Sequence, residues 1–416
     1  MKADTLAIHG GFAGDSGSGA SAVPICQTVS YAHNTAQALA DAFAGRSPGY
    51  IYTRIANPTT TALESRLTEL EDGIGCVATS SGMAAVASAV MALVKAGDEI
   101  IAAAGIFGGT VSLFENTLRR FGVVTNFVDA ADTSNLQDAL NEKTKLIFIE
   151  TIGNPRMDVP DIPAIAELAH KAGIPLVVDN TVTTPVVFRP GKFGADIVVH
   201  STSKFINGHG TAIGGAIIDA GNYNWREGPF DQIRKLSQKV GQLAFLWYLR
   251  NVIYRDLGGC PAPMNSFLML QGLETLPPRM AKHCENGERL AQFLQSHPNV
   301  SWVNYPGLKT SEFHDRVIKL FTGRAGGLLT FGLGDKEKAF EFIDSLRLAK
   351  NLANLGDAKT LVLHPASTIF GEFDAHELGS MGVTPDMVRV SVGIEDFEDI
   401  KADFEQAIER AFKEKK

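Results

Sequence analysis

The feature that most constrains this chain is an alternation, running from Pro58 to Ile218, of short β-branched runs with stretches of helix length. The candidate strands are Cys76–Thr79, Glu99–Ala103, Val123–Val128, Leu146–Glu150, Leu176–Asp179, Ile197–Val199 and Gly215–Ile218. Between them, Met83–Lys95, Gly109–Phe121 and Ile162–Ala172 carry the 3.6-residue period of helices. Buried parallel strands read as short Val, Ile and Leu runs, because both of their faces are covered. The pattern therefore predicts an α/β fold with a mainly parallel central sheet and helices on both faces. Pro58 starts a further helix that places Leu63, Leu67 and Leu70 on one face.

The flanks differ. Residues 1–58 are rich in Gly, Ser, Ala and Thr with few periodic apolar runs, and read as an arm. Gly14–Ala22 is its most flexible-looking stretch. Beyond residue 262 the pattern becomes a smaller α+β unit. Its expected helices are Met264–Gln271, Met280–Gln295, Lys338–Leu346 and Phe397–Lys413, and its expected strands Leu328–Phe331 and Val388–Val392. A chain of 416 residues, 45% apolar, is too long for one ordinary domain. The expected division is an arm (1–58), an α/β domain (59–262) and a C-terminal α+β domain (263–416). The net charge of −8 comes without runs of like charge, so neither a nucleic-acid nor a membrane surface is expected. Met1–Gly11 lacks the apolar core of a signal peptide, and no apolar run reaches the length of a bilayer span. The expectation is a cytoplasmic protein whose Cys26, Cys76, Cys260 and Cys284 stay reduced.

Ligands of open α/β sheets bind beyond the carboxyl ends of the strands, so the residues that follow each strand matter most. After Cys76–Thr79 come Ser80-Ser81-Gly82-Met83, which open a helix and offer free amides to an anion. After Leu176–Val178 comes Asp179. After Ile197–Val199 comes His200-Ser201-Thr202-Ser203-Lys204-Phe205. Singly, each has a plain reading as a helix cap, a strand-end acid or a surface lysine. Together, an anion turn, an acid and a hydroxyl-flanked lysine at the ends of one sheet meet the needs of pyridoxal phosphate. That cofactor requires an amine for Schiff-base formation, a carboxylate against its ring nitrogen and donors for its phosphate. Lys204 supplies the first, Asp179 the second, and Gly82, Met83, Ser201 and Ser203 the third. Two arginines extend the pattern. Arg54, beside Tyr52 in the arm, is suited to a bidentate phosphate contact. Arg389 lies inside the apolar run Met387–Val392, where an unpaired charge is costly, and a substrate carboxylate is the favoured partner.

These motifs resemble those of the Cys/Met-metabolism PLP-dependent enzymes of fold type I. The likeness spans nearly the whole chain. It includes Tyr52-Thr53-Arg54 with Asn57-Pro58, Ser81-Gly82-Met83-Ala84, Glu150-Thr151 with Asn154-Pro155, Val178-Asp179-Asn180, His200–Phe205 with Gly208-His209-Gly210, His364-Pro365-Ala366-Ser367, and Arg389–Glu395. The resemblance implies that Asn154 contacts the cofactor's ring hydroxyl and that Arg389 holds the substrate carboxylate. It further implies that Tyr52 and Arg54 reach the phosphate of a neighbouring subunit, which makes a dimer with shared sites obligatory, and that pairs of dimers form a tetramer.

Within that family, three segments look like the O-acetylhomoserine sulfhydrylase branch: Tyr223–Pro263, Leu268–Leu276, and Asn354–Thr360. On that resemblance Asn354 joins Arg389 in binding the substrate. The implied reaction replaces the acetyl group of O-acetylhomoserine with a sulfur nucleophile, which is sulfide, a small thiol, cysteine or a sulfur-carrier protein. Phe107 stands where many members carry a Tyr. Its ring is expected to stack on the cofactor, without a hydroxyl to act as acid. An acetate leaving group needs little protonation, so Phe107 favours an ester over a thioether substrate. Gly109 stands where methionine γ-lyases carry a Cys. Ile369-Phe370 replaces the usual Thr-His after Ser367-Thr368. The rivals are cystathionine γ-synthesis, γ-elimination from cystathionine or methionine, and a non-catalytic PLP-binding regulator. Intact Lys204, Asp179 and Arg389 argue against the last.

Overall fold

The computed structural model describes residues 1–416 except 13, 15, 16, 18 and 414–416. Part of the Gly14–Ala22 stretch thus lies outside the described residues.

Seven strands form the larger sheet: β1 (Gly75–Thr79), β2 (Glu99–Ala103), β3 (Val124–Val128), β4 (Thr144–Glu150), β5 (Leu176–Asp179), β6 (Ile197–His200) and β7 (Gly215–Asp219). Their order is β1-β7-β6-β5-β4-β2-β3. Strands β3, β2, β4, β5 and β6 run parallel, while β7 is antiparallel to both β6 and β1. Every residue of β6 and β7 is buried, so both faces are covered, as the β-branched runs anticipate.

Local chemistry sets the helices around this sheet. Helix α3 (Pro58–Glu71) begins where Asn57 accepts from the Thr59 amide at 3.0 Å, with Pro58 in the first turn, and ends at Asp72 in the left-handed region, φ 60°. Leu63, Leu67 and Leu70 lie on its buried face, each contributing ~2 kcal/mol by leaving water. Helix α4 (Gly82–Met91) starts at Ser81, whose hydroxyl accepts from the Ala84 amide at 3.0 Å, and packs against β6 and β7. The stretch expected as one helix over Gly109–Phe121 is divided: α5 (Gly108–Ser112) passes into a π-helical turn (Leu113–Thr117) and then a 3-10 turn (Leu118–Phe121). Helices α6 (Thr133–Ala139) and α7 (Ile162–Lys171) follow, and α7 packs on β5.

A second sheet has the order β10-β11-β12-β9-β8, built from β8 (Trp302–Asn304), β9 (Leu328–Gly332), β10 (Lys350–Asn351), β11 (Leu361–Leu363) and β12 (Met387–Ser391). It is antiparallel except for β10 beside β11. The long helix Leu276–Ser296 packs against β8, β9 and the last helix, Phe397–Ala411. One continuous apolar core runs through both sheets.

The first 58 residues are less irregular than their composition predicts. Helix α1 (Ala3–His9) buries Leu6 and Ala7 and packs on α3, and helix α2 (Ala36–Phe43) is capped by Thr35. The reason is local anchoring. Arg66 donates to the Gly10 carbonyl, Glu69 accepts from the Gly11 amide, and Asn57 donates to the Cys26 carbonyl. The four cysteines are free.

Candidate active site

A cavity of 610 Å³ opens at the carboxyl ends of β4, β5 and β6. It collects Gly82, Met83, Phe107, Asn154, Asp179, Ser201, Ser203, Lys204, Asn354 and Arg389 from positions more than 300 residues apart in sequence. Tyr52 and Arg54 are not among its lining residues. The Arg54 guanidinium lies 5.2 Å from the Tyr52 ring centroid and donates to the Arg255 carbonyl at 2.6 Å, and Tyr52 is 40% exposed.

The amine of Lys204 donates to Oδ1 of Asn354 at 2.7 Å. Burial, reinforced by the nearby Arg389 charge, lowers its pKa from 10.5 to about 8. The turn that carries it is held from the second sheet's side. On the long helix, Arg279 donates to the carbonyls of Phe205 and Ile206, and His283 meets the Phe205 ring edge-on at 5.0 Å.

Arg389, on β12, is only 4% exposed. It donates to Asn154 Oδ1 and to the Asn354 main-chain oxygen, both at 3.1 Å. No carboxylate pairs with it among the described residues, so the structural ion pair that would account for a buried arginine is absent. Burial pulls its pKa down to about 10. A guanidinium held by neutral oxygens at the edge of a cavity is suited to bind a carboxylate.

The opposite end of the cavity suits a phosphate. The first helical bond of α4 comes from the Ala85 amide, and Ser81 caps Ala84, which leaves the Gly82 and Met83 amides for an anion. A Cβ on Gly82 would fall 2.6 Å from Ser201 Cβ, so glycine is what lets α4 reach the turn after β6. The Ser201 amide donates to Thr181 Oγ1 at 2.8 Å. The Ser203 hydroxyl lines the cavity but is engaged with Gly214, accepting from its amide at 2.9 Å and donating to its carbonyl at 3.1 Å.

Asp179 accepts from the Thr181 amide at 2.9 Å. Burial raises its pKa, against the Thr181 hydrogen bonds and the charge of His200. Phe107 caps α5, and its amide donates to Oε1 of Glu150 at 2.7 Å. Its ring lies over Gly109, where a Cβ would come 2.5 Å from the ring edge. Glu150, Thr181 and Ile369 also line the cavity, and sequence reasoning gave them no role. For Glu150 the signal was its place at the end of a strand, the same signal that singled out Asp179.

These residues fit pyridoxal phosphate: a lysine of depressed basicity, a strand-end carboxylate, an aromatic wall and an anion-binding helix terminus around one cavity. The model of the Cys/Met metabolism PLP-dependent enzymes matches residues 4–409. The chain belongs to this family. Two relatives within it are an O-acetyl-L-homoserine sulfhydrylase from Leptospira meyeri, 43% identical over 98% of this chain and 97% of that protein, and a homocysteine synthase from Schizosaccharomyces pombe, 42% identical over 98% of each. Among solved structures, a protein from Campylobacter jejuni provisionally named O-acetylhomoserine (thiol)-lyase superposes with a TM-score of 0.90 at 36% identity, over 98% of this chain and all of that one. It carries a pyridoxyl-lysine phosphate residue. Like other family members, the chain is a PLP-dependent enzyme. Among the described residues there is no cluster of metal-binding side chains and no helix long and apolar enough to cross a membrane.

Proposed function

We propose that this enzyme replaces the acetyl group of O-acetyl-L-homoserine with sulfide or a small thiol, giving homocysteine or methionine and acetate. The observation that carries the reading is Arg389, a buried guanidinium without a carboxylate partner at the wall of the cavity that holds Lys204. The relatives' names support the same activity.

The residues that line the cavity support the following roles. The Gly82 and Met83 amides and the Ser201 hydroxyl would hold the cofactor's phosphate, joined by the Ser203 hydroxyl once it turns from the Gly214 carbonyl, with Asp179 at the ring nitrogen, Asn154 at the ring hydroxyl and Phe107 on the face. Bound there, pyridoxal phosphate supplies an electron sink for negative charge at the substrate's Cα. Arg389, oriented by the main-chain oxygen of Asn354, fixes the substrate carboxylate. Lys204, as a free amine, would take the Cα proton and hand it on to the bound cofactor, and, neutral again, would take a Cβ proton as acetate leaves from Cγ. Sulfide adds at Cγ, and Lys204 returns protons to Cβ and Cα. Acetate is a weak base, so the hydroxyl-free Phe107 suffices near the leaving group.

Charge supports an acetyl group. The cationic side chains lining the cavity are Lys204 and Arg389. Both are committed, which leaves none for the second carboxylate of a succinyl ester or for a phosphate ester. Supplying O-acetyl-, O-succinyl- and O-phosphohomoserine with sulfide tests this. The expected result is sulfide-dependent acetate release well above succinate or phosphate release. α-Keto acid and ammonia formed from cystathionine or methionine without a nucleophile would instead establish the lyase reading.

The arm 1–58 is proposed to reach a neighbouring subunit, where Tyr52 and Arg54 supply the phosphate with its cation. Exposed Val29, Leu39 and Phe43 on the arm, and Trp247 and Leu257 elsewhere, support a covered surface between copies. A homodimer with shared sites, paired into a tetramer, is the proposed assembly, and the cytoplasm its compartment. The α/β domain 59–262 and the α+β domain 263–416 complete the proposed division.

A further inference from the structure

Glu150 closes β4 and Asp179 closes β5, and the two are register partners on adjacent parallel strands. Both line the cavity, and Glu150 is only 6% exposed. The basic side chains around them are engaged elsewhere: Lys204 with Asn354, Arg389 with Asn154 and Asn354, and His200 with Glu71 at 2.6 Å. A third carboxyl, Asp158, adds negative charge near Glu150 from the loop after β4. Two neighbouring carboxyls on paired strands, with no cation paired to either, resist ionising together and titrate as a pair.

The geometry points to a dyad in which Glu150 and Asp179 hold one proton between them, carried by Glu150, so that Glu150 is a neutral positioning residue of the cofactor site. Two observations place the proton there. Glu150 is buried whereas Asp179 is half-buried and opens to the cavity, and Glu150 also faces Asp158. Burial and the Asp179 charge push the Glu150 carboxyl well above the usual carboxylate range. Oε1 of Glu150 accepts from the Phe107 amide, a contact that opposes this shift but that a neutral acid or its amide isostere keeps through its carbonyl oxygen. The neutral carboxyl thus joins two walls of the site. It fixes the main chain that carries the Phe107 ring, and it leaves Asp179 as the single negative charge for the ring nitrogen. This rests on the placement of the cofactor ring against Asp179.

The test is infrared spectroscopy of the full-length protein, with and without cofactor, across pH. The expected signature is the carbonyl stretch of an un-ionised carboxylic acid at neutral pH in the wild-type minus Glu150→Gln difference spectrum, in both forms. Asp158 and Asp219, also buried with raised pKa values, contribute to each spectrum and cancel in the difference. In Asp179→Asn the like charge is gone, so the same band should titrate at a lower pH than in the wild type, a shift that a merely structural glutamate would not produce. Comparison of wild type with Asp179→Asn stands even if Glu150→Gln does not fold. No difference band at neutral pH, or a band indifferent to Asp179→Asn, overturns the dyad while leaving the cofactor reading intact. Failure of the wild type to take up pyridoxal phosphate with imine absorbance overturns the site reading and the dyad's role with it.

Discussion

The amine of Lys204 donates to the side chain of Asn354 across 2.7 Å, and the main-chain oxygen of the same asparagine accepts from Arg389. One residue therefore orients both the base and the carboxylate anchor, the first through its side chain and the second through its backbone. Asn354→Ala removes only the first contact. It should lower kcat ~10-fold, the worth of one hydrogen bond to a charged group, and change KM for the amino acid by less than ~3-fold. Asn354→Asp places a negative charge against both cations, competes with the substrate carboxylate, and should raise KM. Steady-state kinetics on both variants checks this; a pure KM effect for Asn354→Ala would contradict it.

The lowered pKa of Lys204 gives a pH signature. Attack on the cofactor aldehyde requires the neutral amine. The rate of imine formation in cofactor-free protein should therefore rise with pH and level off above about 8, not continue towards an ordinary lysine value. Arg389 contributes to that depression, so in Arg389→Met the midpoint should move to higher pH. Stopped-flow absorbance after mixing with pyridoxal phosphate measures both; a rise that persists through pH ~10 would contradict the assignment.

Arg389 should affect activity and stability in opposite directions. Arg389→Ala removes the charge-assisted anchor and should raise KM ~100-fold or more. Arg389→Met removes a buried charge that has no counter-ion, so the cofactor-free protein should be stabilised by ~1–3 kcal/mol. Urea unfolding beside kinetics tests the pair of signs.

The Phe107 ring lies where a Cβ on Gly109 would need to be. Gly109→Ala should displace the ring at a cost of ~1–3 kcal/mol, seen as a shifted cofactor absorbance and a lower kcat. Once Phe107→Ala has removed the ring, the same glycine substitution should add little. A double-mutant cycle measures the coupling, and additive effects would show that the two positions do not interact.

The seven strands of the main sheet were legible because buried strands compress their signal into apolar runs bounded by Gly or Asp. Strand direction was not. Gly215–Asp219 reads like its neighbours yet runs antiparallel, because an apolar run carries no polarity. The two- and three-residue strands β8, β10 and β11 are too short to show a period. Helix α1 was hidden in a segment that looked irregular, since its stability comes from Arg66 and Glu69 far along the chain. Within the site, Lys204, Asp179 and Gly82 announced themselves by position at strand ends. Glu150 shares that strand-end position, but its pairing with Asp179 arises from a register that exists only once the strands pair.

Arg389 rides on β12 of the five-stranded sheet, whereas Lys204 follows β6 of the seven-stranded one. The span between anchor and base is thus a gauge of how the two sheets are seated. A substitution in the seam, such as at Arg279 on the long helix, needs to touch neither substrate nor cofactor to be felt in turnover. It has only to let one sheet settle differently on the other.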